Sequence, residues 1–206
     1  YSGQVCISVQ RAYIHASRYN EFVENLINET KAFKCGDPLN TTVTMGPMID
    51  QENAIRIESW VNEAISAGAK ILIGGKRDGS FYPPTILENV DPKLPLSCNE
   101  AFGPILILNS YTNYSDAVEQ VNDTSFGLQA GIFTNRMDKI FTGFNKLEVG
   151  GVIINDVPTF RVDNMPYGGV KESGLGREGI KYSLKEMTEI KLLVYDHHLE
   201  KETQHG

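Results

Sequence analysis

Residues 99–108 read Asn99-Glu100-Ala101-Phe102-Gly103-Pro104-Ile105-Leu106-Ile107-Leu108, a polar stretch punctuated by Gly-Pro that runs into four consecutive aliphatic side chains. A short unbroken apolar run of this kind suits a strand covered on both faces, where no side meets water and polar alternation is lost. Working outward, Thr85-Ile86-Leu87 and Lys70-Ile71-Leu72-Ile73 read as further short strands upstream, and residues 130–134 and 151–155 as strands downstream.

Helical periodicity separates them. Phe22, Val23, Leu26, Ile27 and Phe33 recur at helical spacing over 20–33, ahead of a Gly36-Asp37-Pro38 stop. After Asp50, the residues Ala54, Ile57, Val61, Ala64 and Ile65 form a second stripe that ends at Gly68. Shorter helices are expected over 114–121, 138–147 and 180–186. Alternating strands and helices imply a three-layer α/β/α domain with a mostly parallel sheet. Residues 190–195 alternate as a terminal strand, and 197–206 read as a polar, frayed tail.

The 206 residues carry a net charge of −7, which argues against an electrostatic hold on nucleic acid or anionic lipid, since that would need a basic face. No apolar run has the length of a membrane span. Cys6, Cys35 and Cys98 form neither a disulfide framework nor a C-x-x-C metal pair, so no metal is expected and a reducing cytoplasm is the simplest setting.

Chemistry-bearing residues are sparse. Cys6 follows Ser2-Gly3-Gln4-Val5 and reads either as a buried small hydrophobe or as a nucleophile at the start of a short helix, whose dipole favours thiolate. None of the four histidines, His15, His197, His198 and His205, is placed as its base. Glu100 reads equally as a site carboxylate or as a cap on a backbone amide. Gly174-Leu175-Gly176-Arg177-Glu178-Gly179 matches a dinucleotide fingerprint but follows no buried strand, so its glycines are expected to serve loop geometry. The Gly- and Pro-rich residues 156–179 form a long functional loop.

Taken in order, Gly3-Gln4-Val5-Cys6, then Asn99 to Pro104, then Asn155, then Met165-Pro166-Tyr167-Gly168-Gly169-Val170-Lys171-Glu172-Ser173-Gly174-Leu175-Gly176-Arg177-Glu178 resemble the aldehyde dehydrogenase superfamily. The resemblance implies that Cys6 attacks an aldehyde carbonyl, that the resulting thiohemiacetal gives hydride to NAD or NADP, and that water hydrolyses the thioester to the acid. It makes Glu100 the holder of the nicotinamide ribose and Phe102 a neighbour of that ring. Asn155, Phe160, Arg161 and Tyr167 would shape the substrate pocket. Arg161 could also meet an acid-bearing aldehyde or pair with Asp163 or Glu172.

Family members are more than twice this long and carry their coenzyme domain and general-base glutamate in a preceding half. The expectation is therefore a catalytic-domain fragment: a catalytic domain over 1–188, an oligomerisation strand over 189–196 and a tail, nearly inactive alone and assembling as a homo-oligomer in the parent enzyme. A Cys-dependent esterase and a non-catalytic interaction module are the alternatives.

Overall fold

The computed structural model describes residues 1–196. Its main sheet has the order β1-β4-β3-β2, built from Arg11–His15 (β1), Lys70–Ile73 (β2), Thr85–Glu88 (β3) and Ile105–Tyr111 (β4). β4 lies between β1 and β3 and is parallel to both, while β2 runs antiparallel at one edge. The aliphatic run of the opening stretch is thus a central strand. The edge strand β1 escapes sequence reading because Arg11 and His15 bound it and only Ile14 is buried.

Helices cover both faces. Gln51–Ser66 (α2) places Ala54, Ile57, Val61 and Ala64, each fully buried, against Leu87, Ile105 and Ile107. Tyr19–Thr30 (α1) lays Tyr19, Val23 and Leu26 over Ile14, Ile86 and Leu108 on the opposite face. Adjacent residues such as Ile107 and Leu108 point into different layers, as strand geometry requires. Each fully buried aliphatic side chain contributes about 1.5–3 kcal/mol relative to exposure. α2 starts where the Asp50 side chain accepts the Asn53 N–H at 2.7 Å and stops where Gly68 takes φ +106°. Ile65, expected on the buried stripe, is 40% exposed.

The second half adds Pro95–Cys98 (α3), Tyr114–Asn122 (α4), Phe126–Gly127 (β5), Gln129–Ile132 (β6), Met137–Lys146 (α5), Gly151–Ile154 (β7), Val170–Lys171 (β8) and Ile180–Glu186 (α6). β6 and β7 pair in parallel, and β5 and β8 form a two-residue antiparallel ladder. α3, β5 and β8 are too short to leave a periodic signal.

The strand expected over 190–195 does not form in the single chain: these residues join no ladder, and Ile190, Leu192, Leu193 and Val194 are 77–100% exposed. A strand needs a neighbouring strand to pair its backbone groups, and the alternation of a segment does not supply one. The expected tail, 197–206, with His197, His198 and His205, lies outside the described residues.

Candidate active site

Cys6 does not begin a helix. Ser2 and Gly3 both take positive φ, 51° and 70°, and the Gln4 N–H closes a turn onto Tyr1 O at 2.9 Å, followed by a second turn from Ser8 N to Val5 O. The reason is packing: an added Cβ on Gly3 would meet Gly103 O at 2.1 Å, so the chain must pass the 99–104 loop as bare backbone. Ser2 is buried and donates its hydroxyl to Gly46 O at 2.7 Å. The thiol that these turns present is exposed, which removes its reading as a buried hydrophobe.

The Cys6 sulfur lies 2.9 Å from the Tyr167 hydroxyl, 161 residues away. Tyr167 is 6% exposed and is held by an antiparallel bridge to Glu178, with backbone bonds of 3.1 and 2.6 Å. Arg161 completes the group. Its guanidinium sits 4.2 Å above the Tyr167 ring and donates to Glu178 Oε2 at 3.0 Å. The partner of Arg161 is thus Glu178, rather than Asp163 or Glu172. Burial, then the Cys6 sulfur as bond partner and charge, push the Tyr167 phenol up to about 12, with Arg161 pulling the other way. At neutral pH that phenol keeps its proton, and either the phenol or the thiol can donate in the contact between them.

The 99–104 loop is fixed from two sides. Gln10 donates to Leu96 O at 3.0 Å and Asn99 O at 2.8 Å, and accepts the Ala101 N–H at 2.9 Å. Arg56 donates to Ala101 O at 2.8 Å while lying 4.7 Å over the Trp60 ring. Phe102 is turned out, 42% exposed, at φ +47°. Glu100 is exposed, and no hydrogen bond reaches its carboxylate among the described residues, so it does not cap an amide. The loop that abuts Gly3 thus carries an open carboxylate and an open aromatic ring.

The remaining predicted residues stand further from the thiol's own bonds. Asn155, at φ +59°, accepts the Thr134 N–H at 2.8 Å and ties the ends of β6 and β7 together. Phe160 is half-exposed, and its carbonyl accepts from Gln129 at 3.3 Å. Gly174, Gly176 and Gly179 all have positive φ in the turns before α6, consistent with a loop rather than a phosphate cradle. Gln10, Arg56 and the pairing of Glu178 with Arg161 leave no sequence signal because their partners lie 17 to 91 residues away, which no local pattern encodes. Among the described residues no group of three or more His, Cys, Asp or Glu side chains is arranged to hold a metal, and no helix is long and apolar enough to cross a membrane.

A mainly parallel sheet covered on both faces, with an exposed thiol hydrogen-bonded to a buried phenol where β1 and β4 are entered, defines an α/β domain with a cysteine-centred site. The aldehyde dehydrogenase family model matches residues 1–193, and the chain belongs to the aldehyde dehydrogenase family. It is 48% identical to 3-sulfolactaldehyde dehydrogenase of Priestia aryabhattai over 94% of this chain and 40% of that protein. It is equally 48% identical to lactaldehyde dehydrogenase of Methanococcus vannielii, over 94% of this chain and 41% of the relative. Among solved structures it is similar to aldehyde dehydrogenase 21 from Physcomitrella patens in complex with the reaction product succinate, with a TM-score of 0.92 and 45% identity over 94% of this chain and 40% of the other. The chain spans about two fifths of the length of the curated relatives it matches.

Proposed function

We propose that these residues carry the nucleophile and the nicotinamide-facing loop of an NAD- or NADP-dependent aldehyde dehydrogenase. The observation that carries the reading is the exposed Cys6 thiol, hydrogen-bonded to Tyr167 on a turn packed against the 99–104 loop. The Cys6 thiolate adds to the aldehyde carbon, and the oxyanion that forms is met by backbone donors such as the Cys6 N–H. A bound nicotinamide nucleotide supplies the hydride acceptor. Glu100 would hold its ribose hydroxyls and Phe102 would lie against its ring. Water then hydrolyses the Cys6 thioester to the carboxylic acid.

Tyr167 keeps its proton and is not proposed as the base for that water; the family resemblance implies a general-base glutamate in the part of the relatives' length that this chain does not cover. The 206 residues alone are accordingly expected to turn over little aldehyde.

The substrate class proposed is a small hydroxy- or acid-bearing aldehyde. The names of the two relatives and the succinate complex support this, and the Arg161 guanidinium, 46% exposed beside Tyr167, offers a fork for an acid group. Asn155 and Phe160 are proposed for the pocket wall. The apolar side chains over 190–194 are proposed to add a strand to a second copy in a homo-oligomer, and three free cysteines agree with a reducing cytoplasm.

The test is NAD(P)H formation from lactaldehyde and related aldehydes by the whole protein, beside its Cys6→Ala variant and the 206-residue chain. Turnover that depends on Cys6 and needs the whole protein is expected. Turnover that survives Cys6→Ala removes the nucleophile assignment, and Cys6-dependent ester hydrolysis with no aldehyde oxidation selects the esterase reading instead.

A further inference from the structure

We infer that Tyr167 is a hydrogen-bond donor to the Cys6 sulfur, positioning the thiolate for attack and stabilising it again as the leaving group of the thioester. The inference rests on the reading of Cys6 as the nucleophile. It is carried by the 2.9 Å contact between the two side chains and by the way Tyr167 is immobilised. The ring is buried, its backbone is bridged on both sides of the peptide to Glu178, and Arg161 closes over its face while pairing with the Glu178 carboxylate. A phenol held this firmly delivers its O–H to one place, and the sulfur occupies it.

The charged groups that face the pair are Arg161 and Glu178, which neutralise each other at 3.0 Å. The donor at the sulfur is therefore the neutral phenol, and its elevated pKa keeps the proton on oxygen throughout the working range. No proton passes between Tyr167 and Cys6. In the attack, the thiolate lone pair forms the S–C bond and the carbonyl π pair moves to oxygen, while the phenol follows the sulfur. In hydrolysis of the thioester left once the hydride has gone to the nicotinamide acceptor, water adds its oxygen to the acyl carbon and gives up one proton to the general base. The S–C bond then breaks with its pair returning to sulfur, and the O–H of Tyr167 is already aimed at the thiolate that leaves. A hydrogen bond to a charged group is the stronger kind, so the stabilisation falls on the ionised sulfur.

The experiment follows the pH dependence of Cys6 alkylation by iodoacetamide, read at the Cys6 peptide by mass spectrometry, in the whole protein and in its Tyr167→Phe variant. Alkylation tracks the thiolate fraction. Loss of the phenolic O–H is expected to raise the midpoint by about one pH unit and slow alkylation at pH 7 about tenfold. Cys98, half-buried, reports on folding in the same digest: its protection should be unchanged. A second protein with 3-fluorotyrosine at position 167, a more acidic phenol in the same shape, should move the midpoint the opposite way.

A midpoint that stays put in both proteins, or falls in Tyr167→Phe because the thiol had been donating to the phenol, overturns the inference. Alkylation needs no turnover, so a chain that fails as a dehydrogenase and a chain in which Tyr167 leaves the sulfur untouched give different results.

Discussion

Gln10 and Ala101 are joined by a hydrogen bond of 2.9 Å from the Ala101 N–H to the Gln10 side-chain carbonyl, across 91 residues of sequence. The same amide donates to Leu96 O and Asn99 O, so one side chain just before β1 sets the conformation of the loop that enters β4. Replacing Gln10 with Leu removes all three bonds and leaves a backbone donor and two acceptors to find water. A loss of about 1–3 kcal/mol in urea unfolding is expected, together with weaker coenzyme binding by the whole protein, since Glu100 and Phe102, the side chains proposed for the coenzyme, ride on that loop. Unchanged stability and unchanged coenzyme affinity would remove Gln10 from this role.

Gly3 tolerates no side chain. Its φ of +70° disfavours L residues, and a Cβ would sit 2.1 Å from Gly103 O, against backbone that has no freedom to swing aside. Gly3→Ala is expected to cost about 2 kcal/mol or more and to move the Cys6 turn away from the 99–104 loop. Equilibrium unfolding measures the first effect. Coenzyme titration of the whole protein measures the second, and a variant with native stability would show that the two loops are not in register as described.

Arg161 tests the substrate class. Its ion pair with Glu178 is half-exposed, so Arg161→Met should change stability by no more than about 1 kcal/mol. In the whole protein, the KM for an acid-bearing aldehyde should rise about tenfold or more while that for a neutral aldehyde of similar size rises much less. Equal effects on both would confine Arg161 to packing on Tyr167.

Alkaline pH should weaken the fold through its tyrosines. Burial pushes Tyr19, Tyr82 and Tyr167 up to about 12 from an ordinary value of 10; Glu88 adds to the shift at Tyr19, Glu58 at Tyr82 and the Cys6 sulfur at Tyr167. A phenol with a higher pKa in the folded state binds its proton more tightly there than in the unfolded chain. Its stabilisation is complete below pH 10 and is lost as pH rises toward 12, because the unfolded state gives up protons first. Urea midpoints should stay level from pH 8 to about 9.5 and fall beyond pH 10, with a shallower fall in Tyr82→Phe. Midpoints that are level to pH 11.5 would contradict these shifts.

The architecture was legible wherever a residue's neighbours in sequence determine its surroundings. The run Ile105 to Leu108, the α2 stripe from Ala54 to Ala64 and the Gly68 stop predicted a buried strand, a helix and its end, and all three are present, because burial on both faces or on one stripe leaves a period that composition records. β1 was not legible, since a strand on a sheet edge buries one residue in five. The strand expected over 190–195 carries the right alternation, yet alternation supplies no strand to pair with, and these residues join no ladder among the described residues.

The sequence by itself determined the layered α/β fold, the order of its principal elements and, through four motifs in register, the family and the candidate residues Cys6, Glu100, Phe102 and Tyr167. Only the tertiary structure decided how they work together. It replaced the expected helix at Cys6 with two tight turns, gave Arg161 to Glu178, tied Asn155 to Thr134, and brought the Tyr167 hydroxyl to the Cys6 sulfur. Secondary structure follows from short-range sterics and burial periodicity, whereas a bond between residues 161 positions apart depends on how the intervening layers pack, and no local pattern carries that information.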